Sequence, residues 1–200
     1  MTDYQSSSLE RVSDEQLRQV TIGEPTAINS QITLADYDPA WPAHFAEQER
    51  IIRNALGDRA LRIEHAGSTS VPGLPAKPII DIVLTVADSA DESIYVPALE
   101  AAGYTLRIRE PDWEEHRVLK RTGPDVNLHV FTAGSPEIDR MLGFRDWLRA
   151  HPEDRDHYAA TKRALAARTW NYVQNYADAK SEVVGEIIER ARVARESGGG

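Results

Sequence analysis

Apolar positions recur along this chain with two different spacings, and the change from one to the other divides it. Phe45, Ile51, Ile52, Ala55 and Leu56 follow the 3.6-residue repeat of a helix. Asp38-Pro39 offers an N-cap followed by proline at the first helical position, and Gly57 ends the run. Ahead of it, residues 32–37 (ITLADY) read as a short strand or extended segment. Residues 61–65 predict a short strand, followed by the Gly/Pro/Ser loop GSTSVPGLPAKP. Ile79–Val86 (IIDIVLTV) is almost wholly apolar, the pattern of a strand buried on both faces. A helix is expected over 91–102, its start delayed by Pro97 and its end set by Gly103. Residues 104–109, 116–121 and 126–131 predict three more strands, the last two joined at Thr122-Gly123-Pro124-Asp125.

Beyond residue 135 the pattern is helical: 136–149, 154–169 and 170–195. The last two are expected as one bent helix, because neither Pro nor Gly marks their junction. Near the start, Ser13-Asp14-Glu15-Gln16 is a capping box for a short helix ending near Val20. The expected architecture is α+β, a mixed sheet packed against helices with a C-terminal helical segment. Residues 1–30 form a polar extension, 31–195 one domain (sheet core about 31–132, helical tail about 135–195) and 196–200 a flexible tail.

Composition narrows the function classes. An apolar fraction of 41% and a charged fraction of 28% are those of an ordinary soluble globular protein. The absence of Cys excludes disulfides, thiolate nucleophiles and Cys-ligated zinc or iron–sulfur sites. No apolar run reaches the ~18 residues that span a bilayer, and the first residues lack a secretory pattern, so no membrane partner and a cytoplasmic location are expected. A net charge of −9 argues against long nucleic acids as partners but suits a small phosphorylated ligand escorted by a divalent metal.

One residue stands against its surroundings. Asp81 sits inside the apolar Ile79–Val86 run, where an unpaired carboxylate costs several kcal/mol, so it must meet a metal, a cation such as Lys77, or strong donors. The preceding Gly67-Ser68-Thr69-Ser70 offers backbone N–H groups and three hydroxyls for phosphate oxygens, though many such clusters are plain turns. It has neither P-loop nor dinucleotide-fingerprint spacing. Asn127, His129 and Phe131 alternate onto one strand face; Glu64 and His65 point to opposite faces of theirs. Lys77, Arg117, Lys120 and Lys180 are candidate phosphate ligands, with Arg117 and Lys120 on opposite faces.

A Gly-Ser pair followed by a strand bearing Asp-x-Asp or Asp-x-Glu resembles the nucleotidyltransferases of the DNA polymerase β type, but the second carboxylate position is Val83. The longer match is to the GrpB family. Its signature resembles Ile63-Glu64-His65-Ala66-Gly67-Ser68-Thr69-Ser70-Val71-Pro72-Gly73-Leu74-Pro75-Ala76-Lys77-Pro78-Ile79-Ile80-Asp81-Ile82, with echoes at Tyr37-Asp38-Pro39-Ala40-Trp41, His116-Arg117, Asn127-Leu128-His129-Val130-Phe131 and Phe144-Arg145-Asp146-Trp147-Leu148-Arg149. Tyr158 with Lys162 and Tyr176 with Lys180 repeat the family's Tyr-x-x-x-Lys spacing. The family usually carries His where Asn127 stands.

The resemblance covers about residues 32–190 and implies a nucleotidyltransferase-like fold without a settled activity. On it, nucleotidyl transfer from a nucleoside triphosphate to a small molecule would use Asp81, His129 and Glu64 catalytically. Gly67, Ser68, Thr69, Ser70, Lys77, Arg117 and Lys180 would hold phosphate. Asp81, His129 and Asn127 would hold a divalent metal, magnesium or manganese, with zinc or iron open to the imidazole. The alternatives are a non-catalytic nucleotide- or anion-binding module, such as those joined to dephospho-coenzyme A kinase, or a metal-dependent enzyme acting on another small anion.

Overall fold

The strongest apolar run becomes the inner strand of a five-stranded sheet. The computed structural model describes residues 14–24 and 27–198. In chain order they form α1 (Asp14–Val20), β1 (Ala27–Gln31), α2 (Trp41–Leu56), β2 (Arg62–Ala66), β3 (Ile79–Val86), α3 (Val96–Ala101) and β4 (Thr105–Glu110). There follow β5 (His116–Arg121), β6 (Asp125–Thr132), α4 (Pro136–Ala150), α5 (Pro152–Ala166), β7 (Thr169–Tyr172), α6 (Val173–Asp178) and α7 (Ser181–Gly198). The sheet order is β2-β3-β6-β5-β4; β3 and β6 are parallel and the other pairs antiparallel. This is the α+β class expected, a mixed sheet packed against helices.

Alternation along β3 builds both sides of the sheet. Ile80, Ile82, Leu84 and Val86 join Ile52, Leu56 and Leu99 in the main core under α2 and α3. Burying each such side chain contributes about 1.5–3 kcal/mol, which is what holds the strand inside. Asp81 and Val83 face the other way. There α4 covers only part of the sheet, where Ile138 and Leu142 pack on Ala66, Val83 and Phe131. The pairs Ala66↔Asp81, Asp81↔Asn127, Val83↔His129, Val118↔His129 and Lys120↔Asn127 place these residues on that same face. Beyond α4's reach the face stays open, walled by residues of α1, α5 and α6, and a cleft of about 290 Å³ forms over Asp81.

Three local expectations are corrected. Residues 32–37 contribute only a bridge, Ala35 to Ala76; the strand lies earlier, at β1, and pairs with β7. Helix α2 starts at Trp41 because the Asp38 carboxylate accepts from the Ala40 N–H at 2.8 Å in a turn, leaving Pro42 in the first helical turn. Residues 154–195 are not one bent helix: α5 ends at Ala166 and β7 intervenes. Thr169, Trp170 and Tyr172 favour a strand once β1 supplies its partner, a distant pairing that no local pattern reveals. Pro97 does stand in the first turn of α3, and the shortened helix follows from it. The capping Ser13 and residues 199–200 lie outside the described residues.

Candidate functional site

Gly67 sets the floor of the cleft. Its φ of 64° and ψ of −171° belong to a region open almost only to glycine. A Cβ there would lie 2.3 Å from Asp81 Oδ2 and 2.9 Å from Asp81 Cβ, so the turn's backbone packs directly on the carboxylate. The next three hydroxyls then divide. Ser70 Oγ donates to the Gly67 carbonyl at 2.6 Å and fastens the turn. Thr69 Oγ1 donates to the Ile79 carbonyl at 3.2 Å, so its 3.0 Å contact with His65 must be a bond donated by His65 Nε2. His65 itself lies outside the cleft, stacked on Phe45, and burial pushes its pKa down to about 4. Ser68 alone turns its hydroxyl to the cleft, where Lys162 Nζ stands 2.8 Å away.

Asp81 accepts from Asn127 Nδ2 at 2.9 Å, and His129 Nε2 lies 3.6 Å from the same oxygen. Burial alone would raise the carboxyl pKa; His129, the Asn127 amide and the Lys77 charge outweigh it and hold the group below the usual carboxylate range. Behind His129 runs a hydrogen-bonded chain. Its Nδ1 is 3.1 Å from His116 Nε2, and His116 Nδ1 is 2.6 Å from Glu110 Oε2. The two imidazoles are stacked, with centroids 5.3 Å apart. His116 is buried, whereas the Glu110 carboxylate at the outer strand is 31% exposed.

The cleft is cationic. Lys77, Lys120, Lys162, Lys180 and Arg107 line it against one carboxylate, Asp81. Burial and mutual repulsion lower all four lysine pKa values, Lys162 to about 6 and Lys180 to about 8. Each Tyr-x-x-x-Lys repeat sets its lysine Nζ over its own ring: Lys162 at 5.2 Å from Tyr158 and Lys180 at 4.6 Å from Tyr176. Lys77 meets the Tyr176 ring at 5.7 Å. The Tyr176 hydroxyl is buried and has no hydrogen-bond partner among the described residues.

The structure thus brings Asp81, Asn127, His129, Ser68, Thr69, Lys77 and Lys180 to one cleft, with Gly67 beneath, and leaves three candidates elsewhere. Glu64 lies opposite Val83, where Arg145 at 2.8 Å and Arg62 at 3.1 Å engage its carboxylate, so it does not replace the missing acid. Arg117 points to the far face and pairs with Glu92 at 2.7 Å and Glu115 at 3.1 Å. Ser70 is held inside its own turn and borders a different hollow.

Lys162 and His116 enter the sequence reading only as echoes of the family pattern, and Arg107 and Glu110 do not enter it at all. A signal for Lys162 was present in the composition: the chain has 4 lysines against 19 arginines, and all 4 lysines line this cleft. Arg107 enters at an irregularity in the β4–β5 pairing between Leu106 and Ile108, which no single-strand pattern exposes.

The expected metal set fits poorly. Asn127 presents an N–H to Asp81, Val83 fills the second carboxylate position inside the core, and Lys77 adds a positive charge nearby. Among the described residues no three His, Cys, Asp or Glu groups gather to hold an ion. The donors present do not make a resident site for magnesium, manganese, zinc or iron. No helix among the described residues is long and apolar enough to cross a membrane.

The UPF0157 protein BH1888 of Halalkalibacterium halodurans is 62% identical over 178 residues, 89% of this chain and 91% of that protein. The crystal structure of the conserved protein GrpB from Enterococcus faecalis superposes with a TM-score of 0.71 at 31% identity, covering 80% of this chain and 96% of that one. A dephospho-CoA kinase of Mycolicibacterium paratuberculosis is 32% identical over 186 aligned residues, which span 80% of this chain and 46% of the kinase. The pattern of the GrpB protein family matches residues 31–190, and the chain belongs to that family.

Proposed function

We propose that this protein binds a small phosphorylated ligand, of the nucleotide class, in the cleft over Asp81. One observation carries the reading: every lysine of an otherwise arginine-rich, acidic chain lines this cleft, and together they face a single carboxylate. Compact ammonium groups gathered without carboxylate partners are suited to phosphate oxygens. Ser68 Oγ offers a further donor, and the partnerless Tyr176 hydroxyl another. The Asp81 carboxylate and Asn127 amide provide an acceptor and a donor for hydroxyls on the ligand's neutral part. The test is a thermal-shift series with inorganic phosphate, nucleoside mono-, di- and triphosphates and coenzyme A precursors, each with and without magnesium. A ligand at ~100 times its dissociation constant stabilises by about 2.7 kcal/mol, an easily read shift. Stabilisation lost in Lys180→Met supports the reading. Flat responses to every phosphate compound would end it.

Nucleotidyl transfer is the second reading, favoured by the Glu110–His116–His129 chain, which suits a proton acceptor beside Asp81. Pyrophosphate release from a nucleoside triphosphate, lost in His129→Gln, would select transfer over binding. Likeness to part of a dephospho-CoA kinase supports the plain binding module, a domain serving chemistry done elsewhere.

A further inference from the structure

The four cleft lysines are not equivalent. Lys77 and Lys180 share the Tyr176 ring, and Lys120 lies on β5 opposite Asn127. Lys162 differs from all three. It is only 2% exposed, its stem is enclosed, and its nitrogen reaches the cleft wall beside Ser68. Its hydrogen-bond partners are Ser68 Oγ and the Pro75 carbonyl, both neutral. The charges acting on it are those of Lys180, Lys77 and Arg163, against Asp81 alone. An ammonium ion there would be desolvated among three cations, with no carboxylate bonded to it. A neutral amine suits the site: one N–H goes to the Pro75 carbonyl, and the lone pair meets the Ser68 hydroxyl at 2.8 Å. A pKa lowered to about 6 agrees with this geometry. Enzymes obtain nucleophilic amines in the same way, by desolvation beside other cations.

Resting on the anion-binding reading of the cleft, we propose that Lys162 is a nucleophilic amine that forms an imine with a phosphorylated carbonyl compound. The Nζ lone pair attacks the carbonyl carbon, and the C=O π pair moves to oxygen. That oxygen gains a proton while Nζ loses one, giving a carbinolamine. The C–O bond then breaks, water leaves after a second protonation, and the remaining Nζ proton is lost. Amine and carbonyl become imine and water, with no oxidant or reductant. Ser68 Oγ is placed to carry protons between nitrogen and oxygen, and Lys77, Lys120 and Lys180 supply the phosphate contacts.

The test uses pyridoxal 5′-phosphate as probe, with borohydride to fix any imine, followed by peptide mass mapping of the full chain. The expected result is one reduced adduct per chain, on Lys162. Inorganic phosphate should suppress it, pyridoxal without its phosphate should leave it largely unformed, and Ser68→Ala should slow it. With only four lysines in the chain, the map is unambiguous. Labelling at Lys77, Lys120, Lys180 or the amino terminus with none at Lys162 overturns the proposal. The outcomes also separate the two claims. Phosphate-dependent thermal stabilisation without a Lys162 adduct leaves the anion cleft standing and removes the nucleophile. A Lys162 adduct that phosphate never suppresses keeps the nucleophile and removes the anion reading. Lys162→Arg, checked for folding by circular dichroism, should lose the adduct.

Discussion

The turn Gly67–Pro72 has a cleft on each side, and both are lined by cations. The hollow beside Ser70 is the larger, about 540 Å³ against about 290 Å³, and holds Arg145, Arg149 and Arg155. Its guanidinium groups are engaged. Arg145 binds Glu64, Asp146 and the His65 carbonyl; Arg149 sends two N–H bonds to the Ser70 carbonyl; Arg155 meets Asp156. Across the turn, the lysines have aromatic faces and neutral oxygens but one acid among them. The arginine fork closes structural contacts, whereas the lysines leave charge uncompensated. What separates a binding site from a fastening is therefore unpaired charge rather than cavity size or the number of bases.

The sharpest way to break this contrast is to remove one cation from each side. Arg145→Ala strips a nearly buried guanidinium from Glu64 and should cost about 3 kcal/mol of unfolding free energy in urea titration. Lys180→Met removes a charge held over the Tyr176 ring rather than bonded to a carboxylate and fills similar volume, so stability should hold or rise while the phosphate-induced shift disappears. Equal losses from both would show that the lysines, too, are fastenings.

Gly67→Ala is expected to have the next largest effect, of order 1–3 kcal/mol from backbone strain alone. The added Cβ must also move Asp81, so phosphate-induced stabilisation should change along with the melting temperature. A Gly73→Ala control, also at positive φ (79°) but with only the Arg155 guanidinium at 3.8 Å, should lower stability without touching the cleft.

How much of this was legible depended on whether the cause was local. β3, the Gly67 turn and the hairpin partner β6 follow from an apolar run, turn residues and alternation; alternation also put Asn127 and His129 on one strand face, while their meeting with Asp81 was implied only by the family resemblance. The Val83 departure was equally plain, and its burial under α4 gives it a physical reason. The partner of Glu64 was not legible, because Arg145 arrives from a helix 81 positions along the chain. The β1–β7 pairing and the approach of α1, α5 and α6 to the cleft are likewise long-range events. The lysine distribution was visible throughout as a composition anomaly, but its meaning required knowing that four scattered positions converge.

Titration sharpens the contrast by a smaller amount. The folded-state pKa values of Lys162 and Lys180, about 6 and about 8, lie below the unfolded value of about 10.4. Between those limits the unfolded chain binds more protons, so these groups make stability rise with pH. The wild type should gain on Lys162→Met between pH 6.5 and pH 9 in paired denaturation curves. Anion affinity carries the opposite sign, because a bound phosphate favours the ammonium forms. It should fall over the same range, with proton uptake on binding visible by calorimetry in buffers of different ionisation enthalpy. Guanidinium groups do not titrate here, so Arg149→Gln should leave both trends unchanged.

The smallest expected effect lies in the imidazole chain behind Asp81. A carboxylate only accepts, so Glu110 fixes the proton of neutral His116 on Nδ1. His116 Nε2 must then accept from His129 Nδ1–H, so the neutral His129 ring keeps its Nε2 lone pair toward the cleft and donates to Asp81 only once it takes a proton there. Both rings are thereby held in the tautomer that free histidine disfavours, and long-range nitrogen–proton correlation spectra should show it. Glu110→Gln can present an amide N–H instead, and the chain then reverses: His116 carries its proton on Nε2 and His129 carries one on Nε2, directed at Asp81. The stability change should be within about 1 kcal/mol, since one hydrogen bond replaces another. The His116 pKa, already lowered by burial, should drop further without the carboxylate. Unchanged tautomers in the variant would mean that the stacked rings are positioned by packing against Phe131 and Trp113 rather than by a directed chain of hydrogen bonds, and His129 would lose its standing as an oriented proton acceptor.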